Sequence, residues 1–178
     1  IFDNIRKAMA YVLAVHVPIA GITVLAVALG WPLILLPAHI VLLELIIDPA
    51  CSVVFENERA ESNVMKRPPK GTKEKIFNRR IVAFSILQGV ISLVAVATVF
   101  YFTMISTGDE AASRAMAFSV LILSNLGLIL TNRSWASNAF SIVKKRNRAF
   151  WPVVAFAVIF LVLILTIQIG RASCRERV

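Results

Sequence analysis

Apolar residues fall into five long runs, at roughly 8–29, 33–55, 81–105, 112–131 and 151–169, with short polar or charged segments between them. Each run is close to or beyond the ~20 residues that a helix needs to cross a hydrocarbon core. The predicted fold is therefore all-α, a polytopic transmembrane bundle of about five long helices, with residues 1–169 forming one domain. The second run carries the strongest exception to its own pattern. Within PAHIVLLELIIDPACSVVF, residues 37–55, two carboxylates stand in apolar surroundings. Glu44 and Asp48 are four residues apart, which places them on one helix face, one turn from each other. Pro49 follows at once and has no N–H to give to the Leu45 carbonyl, so the helix is expected to kink or unwind there. Freed carbonyl oxygens beside two carboxylates suit a hard cation. Ionisable groups at membrane depth are costly and mark ion or proton paths. The plainer alternative is a pair of protonated or paired structural groups.

The first run, AMAYVLAVHVPIAGITVLAVALG, is interrupted by His16, Pro18, Gly21 and Thr23. Pro18 disturbs the backbone near the Ala14 carbonyl and predicts a kink at mid-membrane. His16 either hydrogen-bonds to a neighbouring helix or takes part in the polar centre. The turn Gly30-Trp31-Pro32 is uncharged and carries an interfacial Trp, so runs one and two read as a helical hairpin. His39 precedes Glu44 by five residues, about 140° around the helix from it, and reads as a packing or interface residue. Run three offers Gln88, Gly89 and Ser92 for a helix–helix interface. In run four Asn125 serves either as an interhelical hydrogen-bonding group or as a neutral oxygen ligand. Run five is plain, anchored by Phe150 and Trp151, with Pro152 at a tolerated first-turn position.

Composition agrees with the pattern. The chain has 178 residues, 58% of them hydrophobic, and a mean hydropathy of +0.80. That leaves no room for a sizeable water-soluble catalytic domain. The net charge of +9 could suggest a nucleic-acid partner, but its placement excludes that need. Eight basic residues lie in 56–80 and five in 132–150, while the segment between runs one and two has no charge. Between runs three and four stand Asp109 and Glu110. Basic and non-basic loops alternate, which puts the N-terminus and both basic loops on the cytoplasmic side. The first basic loop, 56–80, is highly charged and is held extended around Lys66-Arg67-Pro68-Pro69; it is either a solvated loop with topogenic lysines or, given its length, a docking surface for a soluble partner or domain. The two cysteines, Cys51 and Cys174, have no metal-ligand spacing, and Cys51 reads as a small packing residue. The start, without Met and running straight into a span, reads as a cut from a longer protein. The end, GRASCRERV at 170–178, turns basic on the face where few positive charges are expected, and reads as a foreign or out-of-frame tail.

Laid out in this order, the chain resembles the C-terminal transmembrane domain of P-type cation-transporting ATPases, the calcium-pump-like branch in particular. The most specific likenesses are LELIIDPA at 43–50 and MKRPP at 65–69, and the likeness runs from about Ile5 to Thr166. YVLAVHVPIAG and LELIIDPACSVVFE are closest to bacterial members. The resemblance implies that the five runs are the fifth to ninth of ten helices, in a multi-pass protein of the bacterial inner membrane. It implies an ion site at Asp48 and Glu44, with His16 and Asn125 as secondary candidates. Asp48 matches the central aspartate of the sixth helix. Glu44 stands at an asparagine position, Ile47 at a threonine, His16 at an asparagine, Ile19 at a glutamate, and Asn125 at a glutamate of the eighth helix. These departures remove oxygen ligands and leave a single site.

By the same resemblance the Lys66–Pro69 stretch couples the helices to cytoplasmic domains lying elsewhere in the parent. The family's phosphorylation motif DKTGT is absent here, as is a glycine-rich phosphate loop. ATP and magnesium would therefore belong to those other domains, and this fragment needs no cofactor and should not hydrolyse ATP alone. Its expected partners are the transported cation (calcium, another cation or a proton), the bilayer, and the remaining domains and helices of the pump. Two other classes compete: an independent secondary transporter or channel, and a membrane scaffold subunit. A secondary carrier would show paired broken helices in both halves. A scaffold has no reason to keep Glu44 and Asp48 in the bilayer.

Overall fold

The computed structural model describes residues 2–58, 78–133 and 148–175. All regular structure among them is helical. Helix α1 spans Phe2–Leu29, α2 Pro37–Pro49, α3 Arg79–Thr107, α4 Glu110–Arg133 and α5 Phe150–Arg175; a π-helical segment, Ala50–Val54, continues α2. Four of these, counting α2 with its π segment, are long and apolar enough to cross a membrane. In α5 the apolar stretch is shorter, Phe150–Leu163, among the described residues. The expected bundle of about five helices is present. The Lys66, Arg67, Pro68 and Pro69 stretch lies outside the described residues. Helix α5 runs on to Arg175, through part of the stretch expected to be foreign.

The turns follow from local chemistry. Gly30 has φ 65°, a left-handed conformation that glycine takes without steric cost, and it ends α1 before the Trp31-Pro32 turn. Gly108, also at φ 65°, ends α3 and gives its N–H to the Met104 carbonyl at 3.0 Å. Asp109 then accepts the Ala111 N–H at 2.8 Å and caps the start of α4. Arg114 on α4 donates from Nε to the Leu33 carbonyl at 2.7 Å and pairs with Glu110 at 2.8 Å, tying the first turn to the fourth helix. Trp31 lies against Phe100 and Tyr101, with centroids 5.5 and 5.9 Å away, as an interfacial anchor should. His39 stacks on Phe118 at 4.6 Å and its Nδ1 accepts the Leu36 N–H at 3.2 Å, so it is an interface residue as expected.

Packing places α4 at the centre. It is the most enclosed helix and touches α1, α3 and α5. The broadest contact joins α1 to α3. In α3 the buried positions are Ser85, Gly89, Ser92, Val96 and Phe100, a stripe of helical period with small residues at one end. A Cβ built on Gly89 would lie 2.5 Å from Val17 Cβ and 2.6 Å from the Ala14 carbonyl oxygen. That carbonyl is the one Pro18 leaves without its helical N–H. The missing side chain of Gly89 is therefore what lets α3 come up to the proline site of α1. The expected disturbance at Pro18 does not interrupt the helix: α1 is continuous from Phe2 to Leu29.

Candidate functional site

At the Asp48-Pro49 step the helix is disturbed where expected, but it does not unwind. Pro49 keeps helical angles, φ −64° and ψ −31°, and Ala50 follows at φ −63° and ψ −45°. No residue unwinds. The ring fixes φ near −65°, which is a helical value, so the chain stays helical through the step. The lost bond is absorbed by a change of register. Ala50 N–H is shared between the Ile46 and Ile47 carbonyls, and Phe55 N–H reaches back five residues to Ala50 at 3.2 Å. The result is a π turn directly after the carboxylates, the kind of local widening found at functional positions.

Glu44 and Asp48 lie one turn apart on the open side of α2, Asp48 exposed and Glu44 partly so, while Leu43, Ile46 and Ile47 face the core. His16 projects from α1 to the same place, its Nε2 3.9 Å from Glu44 Oε1. His16 Nδ1 lies 2.7 Å from the Val12 carbonyl. A carbonyl only accepts, so Nδ1 carries the proton and Nε2 is turned towards the carboxylate. At 3.9 Å the two are too far apart for a hydrogen bond, and they attract as an ion pair when His16 is doubly protonated. Ser52, one turn beyond Asp48, donates to the Asp48 carbonyl at 2.7 Å and adds a hydroxyl to the same face. Cys51 is a half-buried free thiol. Among the described residues, no three His, Cys, Asp or Glu side chains converge in a closed metal cluster.

Asn125 is placed differently from the other three. It is buried on α4 and accepts the Tyr11 hydroxyl of α1 with its Oδ1. Tyr11 in turn packs on Phe55, centroids 5.2 Å apart, and lies within electrostatic range of Cys51 and Glu44. Asn125 Nδ2 and Ser92 Oγ are the buried side-chain polar atoms without a hydrogen-bond partner among the described residues. Half a turn of the amide exchanges its ends: Nδ2 then donates to Tyr11, and a neutral oxygen becomes the free group. The structure thus brings Glu44, Asp48 and His16 to one face and sets Asn125 behind them with Tyr11. Sequence reasoning missed Tyr11 and Ser52. A tyrosine within an apolar run was the available signal, because its hydroxyl needs a partner when buried.

Sequence comparison matches residues 32–173 to the family model of the cation transporting ATPase C-terminus. A calcium-transporting ATPase of Bacillus subtilis is 31% identical over 140 residues, covering 77% of this chain and 16% of that protein. One from Listeria monocytogenes is 31% identical over 140 residues, covering 79% of the chain and 16% of the protein. The sodium/potassium-transporting ATPase subunit alpha-1 of Oreochromis mossambicus is 35% identical over 104 residues, covering 58% and 10%. The chain thus spans 16% of the length of the calcium-transporting relatives it matches.

Proposed function

The chain belongs to the family of cation transporting ATPase C-terminal domains, and on that footing we propose that it is the ion-translocating part of a longer ATP-driven P-type pump, with the transported cation held at Asp48 and Glu44. The observation that carries this reading is the shared face of Glu44, Asp48 and His16 in an otherwise apolar helix pair. A carboxylate cannot face lipid cheaply, so this open side is turned towards an aqueous path or towards other helices of the pump. Asp48 is the principal ligand. It adjoins the π turn, where the Leu45 carbonyl has lost its proline-blocked partner. Glu44 supplies the second carboxylate or carries a proton, and His16, 3.9 Å from it, is a secondary candidate from the neighbouring helix. Asn125 stands by as a neutral oxygen once its amide is turned.

Carboxylate and carbonyl oxygens suit a hard cation such as calcium better than a soft metal, with Cys51 the one thiol near among the described residues. One ion per cycle fits a site with Ile19 and Ile47 apolar and buried. ATP and magnesium act in the cytoplasmic domains of the longer protein. Those domains dock on the basic 56–80 loop, where Lys66, Arg67, Pro68 and Pro69 receive them. The protein sits in the bacterial cytoplasmic membrane, which the Bacillus and Listeria relatives support. The test is Asp48→Asn in the full-length pump, which keeps shape and removes charge. Loss of cation-stimulated ATP turnover and of ion uptake is expected. Survival of both near wild-type apparent affinity places the site elsewhere.

A further inference from the structure

Sequence reasoning used Arg133 only as one of the basic charges of its loop and gave Glu58 no role of its own. Glu58 follows the π segment of α2, and Arg133 is the last residue of α4. Glu58 Oε2 accepts Arg133 Nε at 2.9 Å, with 5% and 1% of the two side chains exposed. The Glu58 backbone carbonyl accepts Asn4 Nδ2 from the first turn of α1 at 2.7 Å. The Arg133 guanidinium lies over the Phe150 ring, the first residue of α5, 4.7 Å from its centroid. One acidic residue and one arginine thus join the ends of α1, α2, α4 and α5, all on the side of the two basic loops.

We infer that Glu58 and Arg133 form a pin that makes these four helix ends move together and so delivers movement of the nucleotide-side domains to the helix carrying Asp48. Three arguments carry it. A buried ion pair is a poor device for stability, since apolar residues of the same volume do as well. It does fix relative position, because Nε and the planar guanidinium stack admit few arrangements. Its place is where the chain leaves the bundle after α2, ten residues on from Asp48 and four beyond the π segment that follows it. The inference rests on the pump reading above, and Glu58 and Arg133 act as positioning residues that touch no ion.

The test uses the full-length pump in membranes carrying Glu58→Met and Arg133→Met together, which removes both charges and keeps the packing. Arg133→Lys, which keeps the charge and loses the planar fork, is the second variant in case the first fails to fold. ATP turnover and uptake of radiolabelled calcium are measured on the same inverted vesicles. The rate of maleimide modification of Cys51 is measured with and without a non-hydrolysable ATP analogue. The expected result is wild-type melting and turnover, calcium moved per ATP lower by at least about fivefold, the low end of coupling between distant sites, and Cys51 no longer sensing nucleotide. Unchanged calcium per ATP in a folded variant overturns the inference. So does a parallel fall of melting temperature, turnover and uptake in both variants, which reduces the pair to a clamp. If the wild-type pump takes up no calcium, the ion assignment fails by itself. The pin is then judged on Cys51: nucleotide sensing present in wild type and lost in the variant supports it, and any other pattern overturns it.

Discussion

Replacing Gly89 by alanine should be among the most damaging single-methyl additions in the bundle. The new Cβ would meet Val17 Cβ at 2.5 Å and the Ala14 carbonyl oxygen at 2.6 Å, against ordinary contact distances of about 3.5–4.0 Å. Neither neighbour can step aside. Val17 is β-branched with a restricted χ1, and the Ala14 carbonyl is backbone of a continuous helix. Relief therefore means moving α3 off α1 by about 1 Å, which loosens the broadest interface of the fold. Overpacking of this kind costs about 1–3 kcal/mol. Helix propensity returns up to about 1 kcal/mol of that, since alanine is the better helix former. Two internal controls isolate the steric part. Gly21→Ala meets the tip of Leu93 at 2.6 Å, a flexible chain end, and should cost less. Gly127→Ala meets nothing within 4 Å and should be neutral or stabilising. Thermal unfolding of the purified protein in detergent should rank Gly127→Ala first, Gly21→Ala next and Gly89→Ala last. If Gly89→Ala melts with Gly127→Ala, the close approach at the Pro18 site is wrong.

Three further outcomes are expected. Cysteine introduced at position 108 should react with an impermeant maleimide added outside intact cells, and cysteine at position 70 should not; the reverse pattern would invert the loop-charge topology. Tyr11→Phe leaves the buried Asn125 amide without its partner. It should destabilise by about 0.6–1.7 kcal/mol, the range for hydrogen bonds between membrane helices, and a Tyr11→Phe, Asn125→Leu cycle with no coupling refutes the bond. Replacing Lys66 and Arg67 in the full-length pump should lower transport per ATP hydrolysed, and unchanged coupling leaves that stretch a topogenic role alone.

The sequence by itself determined what depends on neighbours along the chain. The helical runs, the one-face spacing of Glu44 and Asp48, the turn at Gly30 and the loop-charge alternation are all local, and hydropathy and backbone stereochemistry settle them before any packing. His39 as an interface residue and Gly89 as a small interface position were legible for the same reason. The MKRPP and IIDPA segments made the family legible as well. Tertiary structure decided the pairings across distance. Tyr11 meets Asn125 114 residues away, and Glu58 meets Arg133 75 residues away. No periodicity reports such a pair, because each partner alone satisfies only its own helix. The form of the Pro49 step was also a tertiary matter. A proline forbids one hydrogen bond, but whether the helix unwinds or shifts to a π turn depends on what the next turn packs against. Here Ala50, Val54 and Phe55 are all buried, Phe55 against Tyr11. Burial holds the chain helical through a step that the sequence marks only as a missing donor.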